Sequence, residues 1–141
     1  MFFVLDSNHF REYAHDTALT RTLRRRIEER NASVFSCIVA AEESLQGWIS
    51  LIRRERAGAR QIRAYSLLQQ SIQTLAKLTI LPFDDDAAAL LLELQEMRLR
   101  VGTMDLKIAA ICLAHDATLL TRNLADFERV PGLRTENWLT E

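Results

Sequence analysis

Four carboxylates in this chain occupy settings that would aim them at one place. Asp6 ends the apolar run Met1-Phe2-Phe3-Val4-Leu5. Glu43 lies in Ala40-Ala41-Glu42-Glu43-Ser44-Leu45-Gln46-Gly47, near the start of an expected helix. Asp105 lies in Gly102-Thr103-Met104-Asp105-Leu106-Lys107-Ile108-Ala109-Ala110, and Asp126 in Leu119-Leu120-Thr121-Arg122-Asn123-Leu124-Ala125-Asp126-Phe127. Carboxylates gathered without cations repel, and one or more takes up a proton. A hard divalent cation relieves that conflict and makes hydrolytic chemistry possible. Each acid also has a plainer reading. Asp6 suits a turn or cap, and Glu42 and Glu43 suit a helix start, where the dipole favours negative charge. Asp105 suits the first turn after a Thr103 cap, and Asp126 the end of a short turn. Spacing alone does not decide, because the four are distant in sequence.

The elements that would carry these acids alternate between strand and helix. Phe2–Leu5 is short and wholly apolar, the pattern of a strand covered on both faces in a parallel sheet. Asp6-Ser7-Asn8 supplies turn and cap chemistry after it. Asp16 or Thr17 can cap a helix reaching about Arg30, with Leu19, Leu23 and Ile27 on one face. Val34-Phe35-Ser36 reads as a second strand. A helix from about Ile38 to Arg56 and another from about Arg60 to Lys77, separated by Gly58, form a helical hairpin. Thr79-Ile80-Leu81 is a third strand closed by Pro82. Asp84-Asp85-Asp86 starts a leucine-rich helix to about Arg100; three adjacent acids resemble a metal box, but capping explains them better. A helix after Thr103 turns Ile108, Ile111, Cys112 and Leu113 inward. Thr118-Leu119-Leu120-Thr121 is a fourth strand, and a last short segment follows Pro131-Gly132 near Leu133–Trp138. Strands separated by helices indicate a parallel sheet sandwiched between helical layers. Asp6 and Asn123 both follow strands, where sites form in open parallel sheets.

Composition narrows the class. The chain has 141 residues, which suits one domain, and is 48 % hydrophobic, enough for a sizeable core. Its net charge of −1 argues against a uniformly basic nucleic-acid coat. Lys77 and Lys107 are the only lysines, so nearly all positive charge is arginine, which forks onto phosphate or carboxylate. Cys37 and Cys112 sit in apolar stretches and read as buried, reduced thiols. No Cys/His spacing suggests zinc. No apolar run approaches the ~18 residues of a membrane helix. Met1 leads straight into a strand-like run, so no cleaved leader is expected, and a cytoplasmic location is.

The four acidic contexts, taken in order, resemble the PIN-domain family and most closely its VapC-type toxins. Val4-Leu5-Asp6-Ser7-Asn8 is similar to the family's first-strand motif, with Ser7 where threonine is commoner. Glu43-Ser44-Leu45-Gln46-Gly47 resembles the second motif, and Asp105-Leu106-Lys107-Ile108-Ala109-Ala110 the third. Leu120-Thr121-Arg122-Asn123-Leu124-Ala125-Asp126-Phe127, with Val130-Pro131-Gly132-Leu133 and Trp138 beyond, resembles the C-terminal motif. The resemblance spans the whole chain. It implies a single PIN-like nuclease domain over residues 1–141. The implied fold is α/β, a three-layer α/β/α arrangement with a short, mostly parallel central sheet and a protruding helical hairpin.

The same resemblance implies a function. Asp6, Glu43 and Asp105 would bind Mg²⁺ or Mn²⁺, one ion or two, with Asp126 as a further catalytic acid. Ser7, Asn8, Thr121 and Asn123 would hold ligands and waters in place. The reaction would be hydrolysis of RNA phosphodiesters by a toxin–antitoxin endoribonuclease, the implied partners being RNA, a cognate antitoxin and a second copy of the chain. Two departures stand out. Asn123 replaces an aspartate common in relatives, and Glu42 competes with Glu43; the pair point about 100° apart on a helix.

Other features carry two readings each. Arg21, Arg24, Arg25, Arg26 and Arg30 crowd one helix, and Arg53, Arg54, Arg56, Arg60 and Arg63 crowd the hairpin tip. They suit a solvated face paired with Glu28, Glu29 and Glu55, or contact with RNA or an antitoxin, for which Arg24, Arg25, Arg53, Arg54 and Arg56 are the candidates. His9 follows the Asp6 loop and could approach substrate, whereas His15 and His115 read as surface or packing residues. Trp48 and Trp138 read as packing. An RNA-binding or regulatory module with weak or no catalysis is the alternative function, kept open by Asn123. Nuclease action on DNA or in RNA processing is a third.

Overall fold

The computed structural model describes residues 1–140. Five strands, β1 (Phe2–Leu5), β2 (Ser33–Cys37), β3 (Ile80–Leu81), β4 (Thr118–Leu120) and β5 (Arg134–Glu136), form one sheet in the order β3-β2-β1-β4-β5. Every pairing is parallel, with Phe3 opposite Val34 and Thr118, and Leu119 opposite Thr135. Helices α1 (Ser7–Ala14), α2 (Ala18–Glu29), α3 (Ile38–Arg54), α4 (Ala59–Leu75), α5 (Asp85–Glu96), α6 (Thr103–Ala114) and α7 (Leu124–Phe127) connect the strands. The result is a three-layer α/β/α fold.

The period-2 alternation of a strand divides the core between the two faces of the sheet. Phe3, Leu5 and Leu120 pack with Phe10 of α1, Leu23 of α2, Leu75 of α4, and with Trp138. Val4 and Leu119 point the other way, into Leu94 of α5 and Leu106, Ile108 and Ile111 of α6. Truncating a fully buried Leu5 or Leu120 to alanine costs about 2–5 kcal/mol. Helix α6 is buried on nearly all sides from Ile108 through Cys112, which anchors the helix whose first turn carries Asp105.

The strands fall where the sequence places them, with differences at the edges. Phe2 is 50 % exposed, so β1 is not covered along its whole length. The hairpin helices end at Arg54 and Leu75, two residues short of the expected limits. Helix α5 stops at Glu96 because Arg98 and Arg100 take left-handed backbone angles, φ 53° and 59°. Gly102, not Thr103, is the N-cap of α6. Asp84 caps α5, accepting the Ala87 N–H at 3.1 Å. The larger surprise is α1: Asp6-Ser7-Asn8 is not a free turn but a helix start, with the Asp6 carboxylate accepting the His9 N–H at 2.8 Å.

Candidate functional site

Strand order reverses direction between β1 and β4, and a crevice opens beyond their carboxyl ends. A cavity of about 360 Å³ lies there, lined by Asp6, Ser7, Asn8, Arg11, Glu43, Asp105, Ile108, Asn123 and Phe127. Residues from β1, α1, α3, α6 and the turn after β4 therefore meet, although they are distant in sequence.

Each acid is held by a different local device. Asp6 leaves β1 with its N–H donated to the Leu120 carbonyl at 3.1 Å, which fixes it between the two central strands. It is 7 % exposed. Glu43 sits one turn into α3 and accepts a 2.8 Å hydrogen bond from the Ser7 hydroxyl. Its neighbour Glu42 faces elsewhere, toward a hollow lined by Ile38, Val39, Leu45, Phe83 and Lys107. Asp105 projects from the first turn of α6. A helix N-terminus lowers a carboxyl pKa. Here the opposite wins: burial, then the charges of Glu43, Asp126 and Asp6, raise the Asp105 pKa.

The remaining candidates sort by position. Asn8 and Asn123 line the cavity. Thr121 is buried and lies behind it, its hydroxyl accepting the Asn123 N–H at 3.0 Å and so shaping the loop. Asp126 does not line the cavity. Its carboxylate accepts the Asn123 side-chain amide at 2.9 Å and stands 3.7 Å from Arg129. It still contributes to the field at Asp105.

Two residues of α1 belong to this region for reasons the sequence alone does not supply. His9 is fully buried and cannot reach substrate as the reading of its loop suggested. Its Nε2 accepts the Trp138 N–H at 3.1 Å, so the ring proton is on Nδ1, 3.3 Å from the Asp6 carboxylate. Arg11 reaches the cavity and was not among the candidates. Recognising α1 as a helix would have found it, because Arg11 lies one turn beyond Ser7 on the same face.

The donor set fits a hard divalent cation in chemistry and charge. Asp6, Glu43 and Asp105 offer carboxylate oxygens, none is ion-paired to Lys or Arg among the described residues, and their repulsion is visible at Asp105. The ligands still stand apart: no group of three acid, histidine or cysteine side chains among the described residues is gathered tightly enough to hold an ion.

The arginine candidates divide. Arg24 stacks on Tyr13 at 4.5 Å and donates to its carbonyl at 2.8 Å, and Arg25 pairs with Glu29 at 3.8 Å. Arg53, Arg54 and Arg56 at the hairpin tip are exposed and unpaired among the described residues. Cys37 is buried at the start of α3, and burial pushes its thiol up to about 11, so it is an inert packing residue.

Comparison with known proteins gives this geometry a family. The family model for the PIN domain matches residues 3–133. The ribonuclease VapC2 of Rickettsia felis is 31 % identical over 112 residues, 79 % of this chain and 78 % of that protein. The tRNA(fMet)-specific endonuclease VapC of Salmonella typhimurium is 34 % identical over 68 residues, 45 % of this chain and 52 % of that one. A chain in the crystal structure of Rickettsia felis VapBC2 bound to a DNA fragment from its promoter superposes with a TM-score of 0.72 at 26 % identity, over 98 % of this chain and 99 % of that chain. The chain belongs to the PIN-domain family, among its VapC-type members.

Proposed function

We propose that this protein is a metal-dependent endoribonuclease and the toxin half of a toxin–antitoxin pair. The observation that carries the reading is the convergence of Asp6, Glu43 and Asp105 on one cavity with no ion-paired cation. The ribonuclease names of the relatives support it. Asp6, Glu43 and Asp105 would hold Mg²⁺ or Mn²⁺, as one ion or two. The chemistry supplied there is activation of water for in-line attack on phosphorus and neutralisation of charge on the phosphoryl oxygens.

The chain's own residues do the positioning. His9 holds the Asp6 carboxylate from behind, and the Ser7 hydroxyl holds Glu43. Asn8 and Asn123 present neutral polar groups to the cavity, suited to hydrogen-bonding water or a phosphate oxygen. Asp126, tied to Asn123 and Arg129, acts through its field and through the loop rather than as a primary ligand. RNA is the substrate, and an antitoxin would be held at the hairpin, whose tip exposes Arg53, Arg54 and Arg56 and whose α4 exposes Ile62, Tyr65 and Ile72. We further propose a single nuclease domain that forms a homodimer in the cytoplasm; no helix among the described residues is long and apolar enough to cross a membrane.

A second reading, an RNA-binding module with little catalysis, rests on Asn123 in place of an acid and on the engagement of Asp126 elsewhere. One experiment separates the two. Purified protein is incubated with a tRNA-containing RNA pool in Mg²⁺, Mn²⁺ or EDTA, beside Glu43→Gln and Glu42→Gln. Metal-dependent cutting lost in Glu43→Gln and retained in Glu42→Gln supports the nuclease. RNA bound but uncut by all three proteins supports the binding module.

A further inference from the structure

We propose that Arg11 is the cation that holds the substrate phosphate at the acid cavity, and that a small residue at position 47 leaves it room. The inference rests on the nuclease reading above. Three carboxylates repel an incoming polyanion, so the cavity needs positive charge from the chain as well as from any bound ion. Among the described residues, Arg11 is the only lysine or arginine lining it. It forms no ion pair among the described residues, so its donors are not committed to a neighbouring acid.

The guanidinium of this exposed side chain lies near an aromatic ring. Its central carbon lies 5.4 Å from the centroid of the Trp48 ring. Trp48 is itself anchored, donating its indole N–H to Ser71 of α4 at 2.9 Å and meeting the His15 ring edge-on at 5.6 Å. A guanidinium near an indole and outside any ion pair keeps its donors available for two oxygens of a phosphate. Gly47 explains how the fork comes so near. It lies one turn beyond Glu43 on the same face of α3, and a Cβ there would stand 4.0 Å from the Arg11 Nη2. Alanine fits at that distance; a longer side chain would occupy the guanidinium's place. Glycine is a poor choice inside a helix on propensity alone.

The test uses the full chain in an Asp105→Asn background, so that RNA stays intact, and measures affinity for a tRNA pool in Mg²⁺ across salt concentrations. Arg11→Ala is expected to weaken binding ~10-fold and to lower the slope of log affinity against log salt by ~0.7–0.9, the loss of one phosphate contact. Arg11→Lys should recover part of the affinity. Gly47→Leu should reproduce the loss without a lower melting temperature, and Gly47→Ala should behave as the parent. In the cleaving protein, Arg11→Ala should raise KM more than it lowers kcat. If RNA is cut by the wild type while Arg11→Ala and Gly47→Leu bind with parental affinity and slope, the assignment falls and the nuclease reading stands. A wild type that neither binds nor cuts RNA overturns both.

Discussion

The two ends of the central sheet carry hollows of similar size and opposite electrostatic design. Where β1, β4 and β5 begin, a hollow of about 490 Å³ is lined by Met1, Phe2, His115, Asp116 and Arg134. Its charges are settled within the chain. Arg134 donates to the Asp116 carboxylate at 3.0 Å, to the Asp116 carbonyl at 2.7 Å and to the Thr118 hydroxyl at 3.3 Å. Where the strands end, Asp6, Glu43 and Asp105 line one cavity with no Lys or Arg paired to them among the described residues. Paired charge at one end fixes a loop to a strand. Unpaired charge at the other leaves a deficit that only something from outside can fill.

The sharpest way to break this contrast is to remove one carboxylate from each end. Asp105→Asn should lower RNA cleavage by at least ~100-fold, the loss expected of a proposed metal ligand, while leaving the metal-free melting temperature unchanged or higher. Asp116→Asn should leave cleavage at the wild-type rate. Equal losses of melting temperature and activity in Asp105→Asn would mean that the acid cavity is as structural as the opposite hollow.

Next in size is the support behind Asp6. His9→Ala removes a buried ring, leaves the Trp138 N–H without its partner and leaves Asp6 Oδ1 with only the backbone N–H of residue 9. Chemical denaturation should report a loss of about 2–4 kcal/mol, and cleavage should fall ~10-fold with the protein still folded.

Titration sharpens the contrast further. The raised Asp105 pKa means that the fold binds a proton which the unfolded chain, at ordinary aspartate values, has released. Stability from this group is full below the unfolded pKa and is lost as pH rises through the folded one. Metal-free protein should therefore melt higher as pH is lowered into that window, Asp105→Asn should lose that part of the pH response, and saturating Mg²⁺ should flatten it. At a hundredfold excess over its Kd, Mg²⁺ should add about 2.7 kcal/mol. The smallest effect belongs to the other end: Arg134→Met removes a surface pair, Arg134 half exposed and Asp116 almost wholly so, and should cost about 0.5–1 kcal/mol in a melt, with no change in cleavage.

Much of this was legible before any coordinates. Apolar runs bounded by turn residues located β1 to β4, because a buried parallel strand has few other ways to look. Glu43 could be favoured over Glu42 only by its distance from Gly47; the helix rotation that sends Glu42 toward Phe83 and Lys107 gives that preference its geometry. What stayed hidden has a common cause. Asp6-Ser7-Asn8 carries the same chemistry whether it closes a turn or opens a helix, so α1 went unseen, and with it the burial of His9 and the reach of Arg11. The ends of α5 and the placement of Asp126 depend on left-handed residues and side-chain pairing that no periodicity encodes.

The hydrogen bond between His9 and Trp138 also has a consequence for biosynthesis. It joins groups 129 positions apart, and the ring it fixes stands behind the first acid of the cavity. A ribosome releases Asp6 early and the backbone of Trp138 late, so a partly made chain carries its acids but not the strut that steadies the first of them. The full rigidity of the proposed metal site is thus deferred to a late moment of translation.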